Sequence, residues 1–181
     1  MIFSELSISG SYLITPTMFQ DERGFFTETW NKKQFNKITG QNIIFVQDNL
    51  SRSKKNVLRG LHYQSQHPQG KLVRVVSGKV YDVIVDLRRS SPSFKEWIGV
   101  DLSSSNNRSL WIPPGCAHGF LVLSKFAKFA YKTTEYWFPE HEKTLLWNDP
   151  SIDIDWNLKS DPLISDKDKK GHLLAKTKFF K

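Results

Sequence analysis

Two histidines, each close to a glycine, are the residues whose surroundings best suit chemistry. His62 lies in the stretch "VLRGLHYQ" and His118 lies in "PPGCAHGFLVL", and both stretches are rich in strand-forming residues. Metal-binding β-barrels usually carry two histidines one residue apart, because alternate strand residues share a face and both rings then reach one ion. At that spacing His62 is followed by Gln64 and His118 by Phe120, and the chain contains no His-x-His. We therefore expect no metal site and consider proton transfer instead.

Proton transfer needs a base, a group that orients the base, and an acid. A histidine is the usual base near neutral pH, and a carboxylate commonly fixes its tautomer. Asp82 and Asp168 are candidates for that carboxylate by residue type, but the spacing alone joins neither of them to His62. Tyr131 has the chemistry of an acid, and Lys71 has that of an electrostatic stabiliser. Each of these side chains is more often structural when taken alone, so residue type leaves the assignment open.

Two arginines are suited to contact an anion. Arg23 precedes Gly24 and Arg59 precedes Gly60, so the neighbouring backbone can approach a ligand closely. The planar guanidinium fits phosphate oxygens, although two surface arginines in salt bridges would look the same in the sequence. Arg59 and His62 point to opposite faces of a regular strand. Both can serve one site only if Gly60 bends or bulges the strand, or if one side chain reaches a neighbouring subunit.

The segments that must position these residues are mostly strands. Short runs of β-branched and aromatic residues alternate with turn signals about every 8–12 residues, which is typical of a sandwich or closed barrel. A short helix is predicted at 32–38, and Ser165 is predicted to cap a second helix with Asp168 at the fourth position of a weak capping box. The loop between Trp147 and Trp156 is expected to cover part of the core. Besides the histidine-containing strand at 57–64, strands are predicted at 24–30, 42–51, 96–102, 109–113, 119–124 and 128–137.

The stretch from Lys71 to Arg88 has the strongest periodicity. Two β-branched runs flank Ser77-Gly78-Lys79, and this pattern predicts a hairpin. Alternation in the second run places Asp82 on the same face as hydrophobic neighbours, so this carboxylate needs a partner if the face is buried.

Length and composition bound the class of protein. With 181 residues, of which 39% are hydrophobic, we expect a single domain over residues 1–181. One cysteine, no basic and apolar leader, and no apolar run of about 18 residues predict a cytoplasmic protein without a disulfide or a membrane span. The net charge of +8 suits nucleic acid, a membrane surface or a small phosphate ester. Part of the excess comes from six lysines between Lys167 and Lys181, which are typical of a solvated terminus.

Six motifs, taken together and in order, closely resemble the dTDP-4-dehydrorhamnose 3,5-epimerase family. They are "DERGFFTETW", "FVQDNLSRSKKNVLRGLHYQ", "QGKLVRVVSGKVYDVIVDLRRSSPSF", "LWIPPGCAHGFLVLS", "YKTTEYW" and "LLWNDPSIDIDW". The resemblance runs from about Asp21 to Trp156 and extends weakly to Asp168. It implies an all-β fold, a cupin-type jelly-roll (double-stranded β-helix) barrel with a few short helices. It also implies a homodimer and an isomerase that works without metal or cofactor.

The resemblance further implies roles for individual residues. His62 would be the base, Tyr131 the acid and Lys71 the group that stabilises an enolate oxygen. Asp168 would orient His62, with Asp82 as an alternative partner and Asp166 as an alternative alignment of the tail. The substrate would be dTDP-4-dehydro-6-deoxy-D-glucose, and the product dTDP-4-dehydro-L-rhamnose. Substrate contacts are implied for Arg23, Glu28, Gln47, Asp48, Asn49, Arg59, His118, Tyr136, Glu142 and Lys167, with Phe19 and Phe26 contributed across the dimer and Tyr136 stacked on thymine.

Three alternatives stay open at this point. A related enzyme could invert only C3 or only C5 of a similar sugar nucleotide, because such reactions use the same acid–base groups. A jelly roll could instead bind a sugar nucleotide without turnover, although the combination of His62, Lys71 and Tyr131 disfavours this. Nucleic-acid binding is suggested by charge alone, and no helix-turn-helix, zinc-finger or RNA-binding motif is present. We expect neither nucleic acid nor a membrane as partner.

Overall fold

Antiparallel strands are the main secondary structure of the fold. The computed structural model describes residues 1–181. Two short helices, α1 (Lys32–Thr39) and α2 (Asp166–Lys169), are the only α-helices. The strands are β1 (Ile2–Glu5), β2 (Tyr12–Thr15), β3 (Met18–Asp21), β4 (Gly24–Thr27), β5 (Gln47–Lys54), β6 (Leu58–Gln64), β7 (Lys71–Ser77), β8 (Lys79–Asp86), β9 (Trp97–Ser103), β10 (Ser109–Ile112), β11 (Cys116–Val122), β12 (Phe126–Thr133) and β13 (Glu142–Thr144).

Two sheets face each other in a cupin-type jelly roll, which confirms the predicted fold class. One sheet has six strands in the order β1-β2-β10-β7-β12-β5, and the other has five in the order β13-β6-β11-β8-β9. Strands β3 and β4 form a separate two-stranded hairpin. Hydrophobic side chains from both sheets, including Val73, Ile84, Phe120 and Phe129, form the core between them.

Alternation along β8 separates two cores, as the sequence predicts. Val80 and Ile84 point into the core between the sheets, whereas Val83 and Val85 point to the outer face of the five-stranded sheet. The C-terminal segment covers that outer face with Ile152, Trp156 and Leu174, and the Trp156 indole donates to the Trp147 carbonyl. Ile152 and Trp156 belong to the loop that the sequence predicts to cover part of the core.

The predicted hairpin at Ser77-Gly78-Lys79 is wrong. Strand β7 pairs with β10 and β12 in one sheet, whereas β8 pairs with β11 and β9 in the other. Since both edges of each strand are already occupied, the chain between them crosses from sheet to sheet. Gly78 has a φ of +89°, and its backbone bonds to Ser104 rather than to the next strand. Local pattern could not distinguish this crossing from a hairpin turn, because both require a glycine with positive φ.

Both predicted helices are present. Asn31 caps α1 by accepting from the Gln34 amide, and the Ser165 hydroxyl caps α2 by accepting from the Asp168 amide. Some predicted strands are shorter or shifted: the strand predicted at 24–30 ends at Thr27, and the one predicted at 128–137 ends at Thr133. No helix is both long and apolar enough to cross a membrane.

Candidate active site

A bulge in β6 brings Arg59 and His62 to the same side of the strand. His62 is paired with His118 and Arg59 with Phe120, so three steps along β6 match two along β11. Gly60, inside this bulge, has a φ of +118°, which a residue with a side chain rarely adopts. Of the two alternatives that would let Arg59 and His62 serve one site, the structure has the bulge at Gly60, and both residues line one cavity.

Two glycines allow the bulged strand to approach its neighbour. A Cβ added at Gly60 would lie 2.6 Å from the Gly119 Cα and 2.7 Å from the His118 carbonyl oxygen. A Cβ added at Gly119 would lie 2.6 Å from the Arg59 carbonyl oxygen. The glycines of "RGLH" and "AHGF" therefore make room for each other next to the paired residues His62 and His118.

The cavity opens between the two sheets and has a volume of about 370 Å³. Its lining comes from β5, β6, β7, β11 and β12 and from the segment that follows β12. Predicted site residues dominate this lining. They are Gln47, Asn49, Arg59, His62, Lys71, His118, Tyr131, Glu142 and Lys167.

His62 is bonded to Asp168, and these two residues are far apart in sequence. The Nε2 of His62 lies 2.6 Å from Oδ1 of Asp168, and the other carboxylate oxygen accepts from the Gly60 amide at 3.2 Å. Burial opposes ionisation of this carboxyl, but its hydrogen bonds from His62, Gly60 and Ser165 prevail and lower the pKa of Asp168. Asp168 is thus ionised, and its bond to Nε2 leaves Nδ1 of His62 without a hydrogen bond in the protein. Asp166 is instead exposed, 3.4 Å from Lys169.

A second buried carboxylate holds the other histidine. Asp82, the alternative partner considered for His62, is fully buried and bonds to Nε2 of His118 at 3.0 and 3.1 Å. Burial lowers the pKa of His118 and raises that of Asp82. The need of Asp82 for a partner is therefore met by His118, and the two aspartates serve different histidines.

Lys71 and Tyr131 supply a cation and a phenol to the same cavity. Burial lowers the pKa of Lys71 to about 8, while the nearby carboxylates of Glu142 and Asp82 oppose that shift. Burial, followed by the charge of Glu142, raises the pKa of Tyr131. An ammonium group with this pKa is still largely protonated at neutral pH, and a phenol with a raised pKa keeps its proton. Both groups can therefore donate.

The Glu142–Lys167 ion pair lies at the cavity wall. The Lys167 Nζ is 2.7 Å from a Glu142 carboxylate oxygen. Burial acts to raise the pKa of Glu142, but the Lys167 contact and the nearby His62 outweigh it and lower that pKa. The first lysine of the basic tail thus lines the cavity and is held in an ion pair.

The other predicted contacts lie outside the cavity. Arg23, Phe19 and Phe26 are on the β3–β4 hairpin, where Arg23 pairs with Asp21 and the two phenylalanines are 60% and 70% exposed. Glu28 bonds to Asn31, Asp48 pairs with Lys132, and Tyr136 is exposed.

Several lining residues were missed by sequence reasoning. Trp137 lines the cavity where Tyr136 does not, because the backbone amide of Trp137 bonds to the Gln47 side chain at the cavity wall. Phe120 and Phe129 form a stacked pair with ring centroids 4.2 Å apart. Phe120 lies two residues after His118 on the same strand, so the two side chains share a face, and this spacing could have placed Phe120 in the cavity. The remaining missed residues are Ser51, Gln69 and Gly119.

The structure has no group of three or more histidine, cysteine, aspartate or glutamate side chains arranged to hold a metal ion. What the cavity offers is a histidine–aspartate pair, a phenol and an ammonium group. This set can remove a proton, return one and stabilise negative charge on an oxygen.

Comparison with known proteins agrees with this chemistry. The sequence profile described as dTDP-4-dehydrorhamnose 3,5-epimerase matches residues 5–176. The enzyme of that name from Pseudomonas aeruginosa is 53% identical over 172 residues, which cover 95% of each chain. The one from Salmonella typhimurium is 50% identical over 175 residues, which cover 96% of each.

Comparison with a solved structure of a similar enzyme shows that the fold is also shared. The dTDP-6-deoxy-D-glucose-3,5-epimerase of Legionella pneumophila, in complex with dTDP-4-keto-L-rhamnose, superposes with a TM-score of 0.94. It is 48% identical, and the match covers 98% of this chain and 94% of that one. The chain therefore belongs to the dTDP-4-dehydrorhamnose 3,5-epimerase family and is an isomerase.

Proposed function

We propose that this protein converts dTDP-4-dehydro-6-deoxy-D-glucose to dTDP-4-dehydro-L-rhamnose by inverting C3 and C5. The observation that carries the proposal is the convergence of His62, Tyr131 and Lys71 on one cavity, with Asp168 bonded to His62. The alternative of a binding module without turnover gives no reason for a base, an acid and an oxyanion stabiliser to line the same cavity.

The C4 ketone makes this reaction possible. C3 and C5 both neighbour the ketone, so loss of a proton from either carbon leaves an enolate with its charge on O4. The Nδ1 of His62 takes the proton from one face, and Asp168 stabilises the imidazolium that forms. The Lys71 ammonium stabilises the developing charge on O4.

Protonation from the opposite face completes the inversion. The Tyr131 hydroxyl donates its proton to the same carbon, the enolate collapses to the ketone, and Tyr131 becomes a phenolate. His62 then loses the proton it gained and Tyr131 regains one from water, so the second carbon can follow by the same steps. One base and one acid suffice only if the sugar lies between His62 and Tyr131.

The nucleotide needs cations and an aromatic surface. Arg59 is anchored by a 2.9 Å bond from Nε to the Ser53 hydroxyl, which leaves its other nitrogens for a phosphate. Trp137 offers an exposed ring at the cavity on which thymine can stack, a role that fits it better than Tyr136. Gln47, Asn49, His118, Glu142 and Lys167 supply further polar contacts.

We also propose that the working enzyme is a cytoplasmic homodimer of single-domain chains. Phe19, Arg23 and Phe26 lie outside their own cavity on a hairpin with exposed aromatic rings. In a dimer this hairpin would reach the partner's cavity, where Arg23 would meet the diphosphate, and Glu28 would lie close by. The substrate, and neither nucleic acid nor a membrane, is the proposed partner of the basic surface.

Label incorporation tests the proposal. The 4-keto sugar nucleotide is incubated with the protein in D₂O, and deuterium is followed at C3 and C5 together with the configuration of each carbon. We expect label and inversion at both carbons. Label at only one carbon would indicate a single epimerase, and no label would indicate a binding protein.

A further inference from the structure

A second histidine–aspartate pair, His118–Asp82, contacts the cavity directly beside His62. His118 and His62 are paired across β11 and β6, and both rings line the cavity. The His118 side chain is only 8% exposed, and that of Asp82 is fully buried. The proposed proton transfer uses His62, whereas His118 supplies only an unspecified polar contact with the substrate and Asp82 has no role.

Asp82 fixes which nitrogen of His118 carries a proton. A carboxylate accepts hydrogen bonds, and both of its oxygens lie within 3.1 Å of Nε2. The proton of a neutral imidazole is therefore held on Nε2, and Nδ1 keeps a lone pair. Two buried aromatic rings, Phe129 at 6.0 Å and Phe120 at 6.5 Å between centroids, restrict rotation of the His118 ring. His118 thus offers the cavity a fixed acceptor.

The neighbours of His118 identify the group that it would contact. Lys71 and His62 are both near enough that their charges act, with burial as the larger cause, to lower the pKa of His118. On the proposed function, Lys71 lies at the C4 ketone oxygen and His62 lies at the hydrogens of C3 and C5. His118 therefore faces the substituents that flank the ketone, which are a hydroxyl on C3 and a methyl on C5. Only the hydroxyl can donate to Nδ1.

We propose that His118, held as an acceptor by Asp82, recognises the C3 hydroxyl next to the ketone and makes the enzyme selective for a 3-hydroxy-4-keto sugar. Lys71 and His118 then form a donor–acceptor pair that matches the two adjacent oxygens of the substrate. Asp82 is a positioning residue in this scheme, since it acts through His118. The inference rests on the proposed function.

A substrate analogue tests selectivity without any mutation. The rate of deuterium incorporation at C5 is measured for the natural substrate and for its 3-deoxy analogue. Because a buried acceptor left unpaired costs about 1–3 kcal/mol, we expect kcat/KM for the analogue to be about 5- to 150-fold lower. Equal values for the two compounds would overturn the inference. No C5 label even with the natural substrate would instead overturn the proposed function.

The Asp82→Asn variant tests the positioning role. An amide can donate to Nε2 and so move the His118 proton to Nδ1, which turns the acceptor into a donor. We expect kcat/KM to fall for the natural substrate and to stay within about 3-fold for the 3-deoxy analogue, so that the ratio between them collapses. An equal loss for both compounds would mean that Asp82 is only structural and would overturn its assigned role.

Asp86→Asn is the matched control. Asp86 is also fully buried and lies on the same face of β8, but it pairs with Arg88, away from the cavity. We expect its effect to be equal for the two compounds, so the ratio should match wild type. Side-chain ¹⁵N NMR gives an independent reading: wild-type His118 should be neutral with its proton on Nε2, and a proton on Nδ1 would contradict the inference.

Discussion

His62 and His118 are directly paired on adjacent strands, and each ring is bonded to a different buried aspartate. The two pairs differ in how much of the ring is accessible, since the His62 side chain is 27% exposed and that of His118 is 8% exposed. The more accessible ring is suited to exchange protons with substrate and water. The enclosed ring is suited to hold a fixed hydrogen bond.

The alkaline limb of the pH profile should report Lys71. Burial lowers the pKa of this ammonium group to about 8, and only the protonated form stabilises the enolate oxygen. Because this pKa is that of the enzyme without substrate, we therefore expect kcat/KM to fall as the pH rises through about 8. In Lys71→Arg the limb should move to higher pH, because arginine stays protonated. A limb that stays in place in this variant would assign it to another group.

Trp137 and Tyr136 should differ in their effect on nucleotide binding. Since Trp137 lines the cavity and Tyr136 does not, we expect Trp137→Ala to raise the Kd for dTDP about 5- to 100-fold, in line with one lost base-stacking contact. Tyr136→Ala is the control and should change that Kd less than about 3-fold. Calorimetric titration with dTDP measures both, and a larger effect at Tyr136 would restore the assignment made from the sequence.

Even the smallest side chain at Gly60 should lower the free energy of unfolding. Gly60→Ala adds a Cβ against Gly119 and the His118 carbonyl, in a backbone conformation with φ of +118°. Gly24→Ala is a matched control, because Gly24 has a φ of +123° and nothing within 4 Å of an added Cβ. We expect the control to lose about 1–3 kcal/mol of unfolding free energy and Gly60→Ala to lose clearly more. Urea unfolding measures both, and equal losses would show that the close approach of the strands is not limiting.

Mixing two inactive variants should restore activity if the β3–β4 hairpin serves the partner's cavity. One variant carries His62→Ala, and the other lacks the hairpin residues Phe19 and Arg23 through substitution by alanine. In a mixed dimer one cavity combines an intact His62 with an intact hairpin, so random assortment restores about a quarter of the sites. Mixtures that stay as inactive as the separate proteins would place the hairpin outside the partner's site.

The sequence predicted the local elements well and their partners less well. Alternation along β8 was read correctly because burial imposes the period of two on any half-buried strand. The pattern around Gly78 wrongly predicts a hairpin, because β7 and β8 pair with strands that are distant in sequence, β12 and β11 respectively. The opposite faces of Arg59 and His62 predict either a bulge at Gly60 or a contact with a neighbouring subunit, and only the structure shows that it is the bulge.

Within the site, the sequence likewise does not show which histidine Asp82 and Asp168 each contact. Both were recognised as candidate partners by type, but the residues that separate His62 from Asp168 include most of the fold, so no spacing rule connects them. Tyr136 and Trp137 are adjacent in sequence, and only the backbone path after β12 decides which ring faces the cavity.

Separating proton exchange from inversion tests the central claim, that His62 and Tyr131 act on opposite faces of the sugar. Tyr131→Phe and His62→Asn are each incubated with the 4-keto sugar nucleotide in D₂O, and label and configuration at C5 are followed by NMR. We expect Tyr131→Phe to exchange the C5 hydrogen without inverting the carbon, because His62 still removes a proton and returns one to the same face. We expect His62→Asn to lose both exchange and inversion by about 10²–10⁴-fold. Inversion at the wild-type rate in Tyr131→Phe, or undiminished exchange in His62→Asn, would contradict the two-face mechanism.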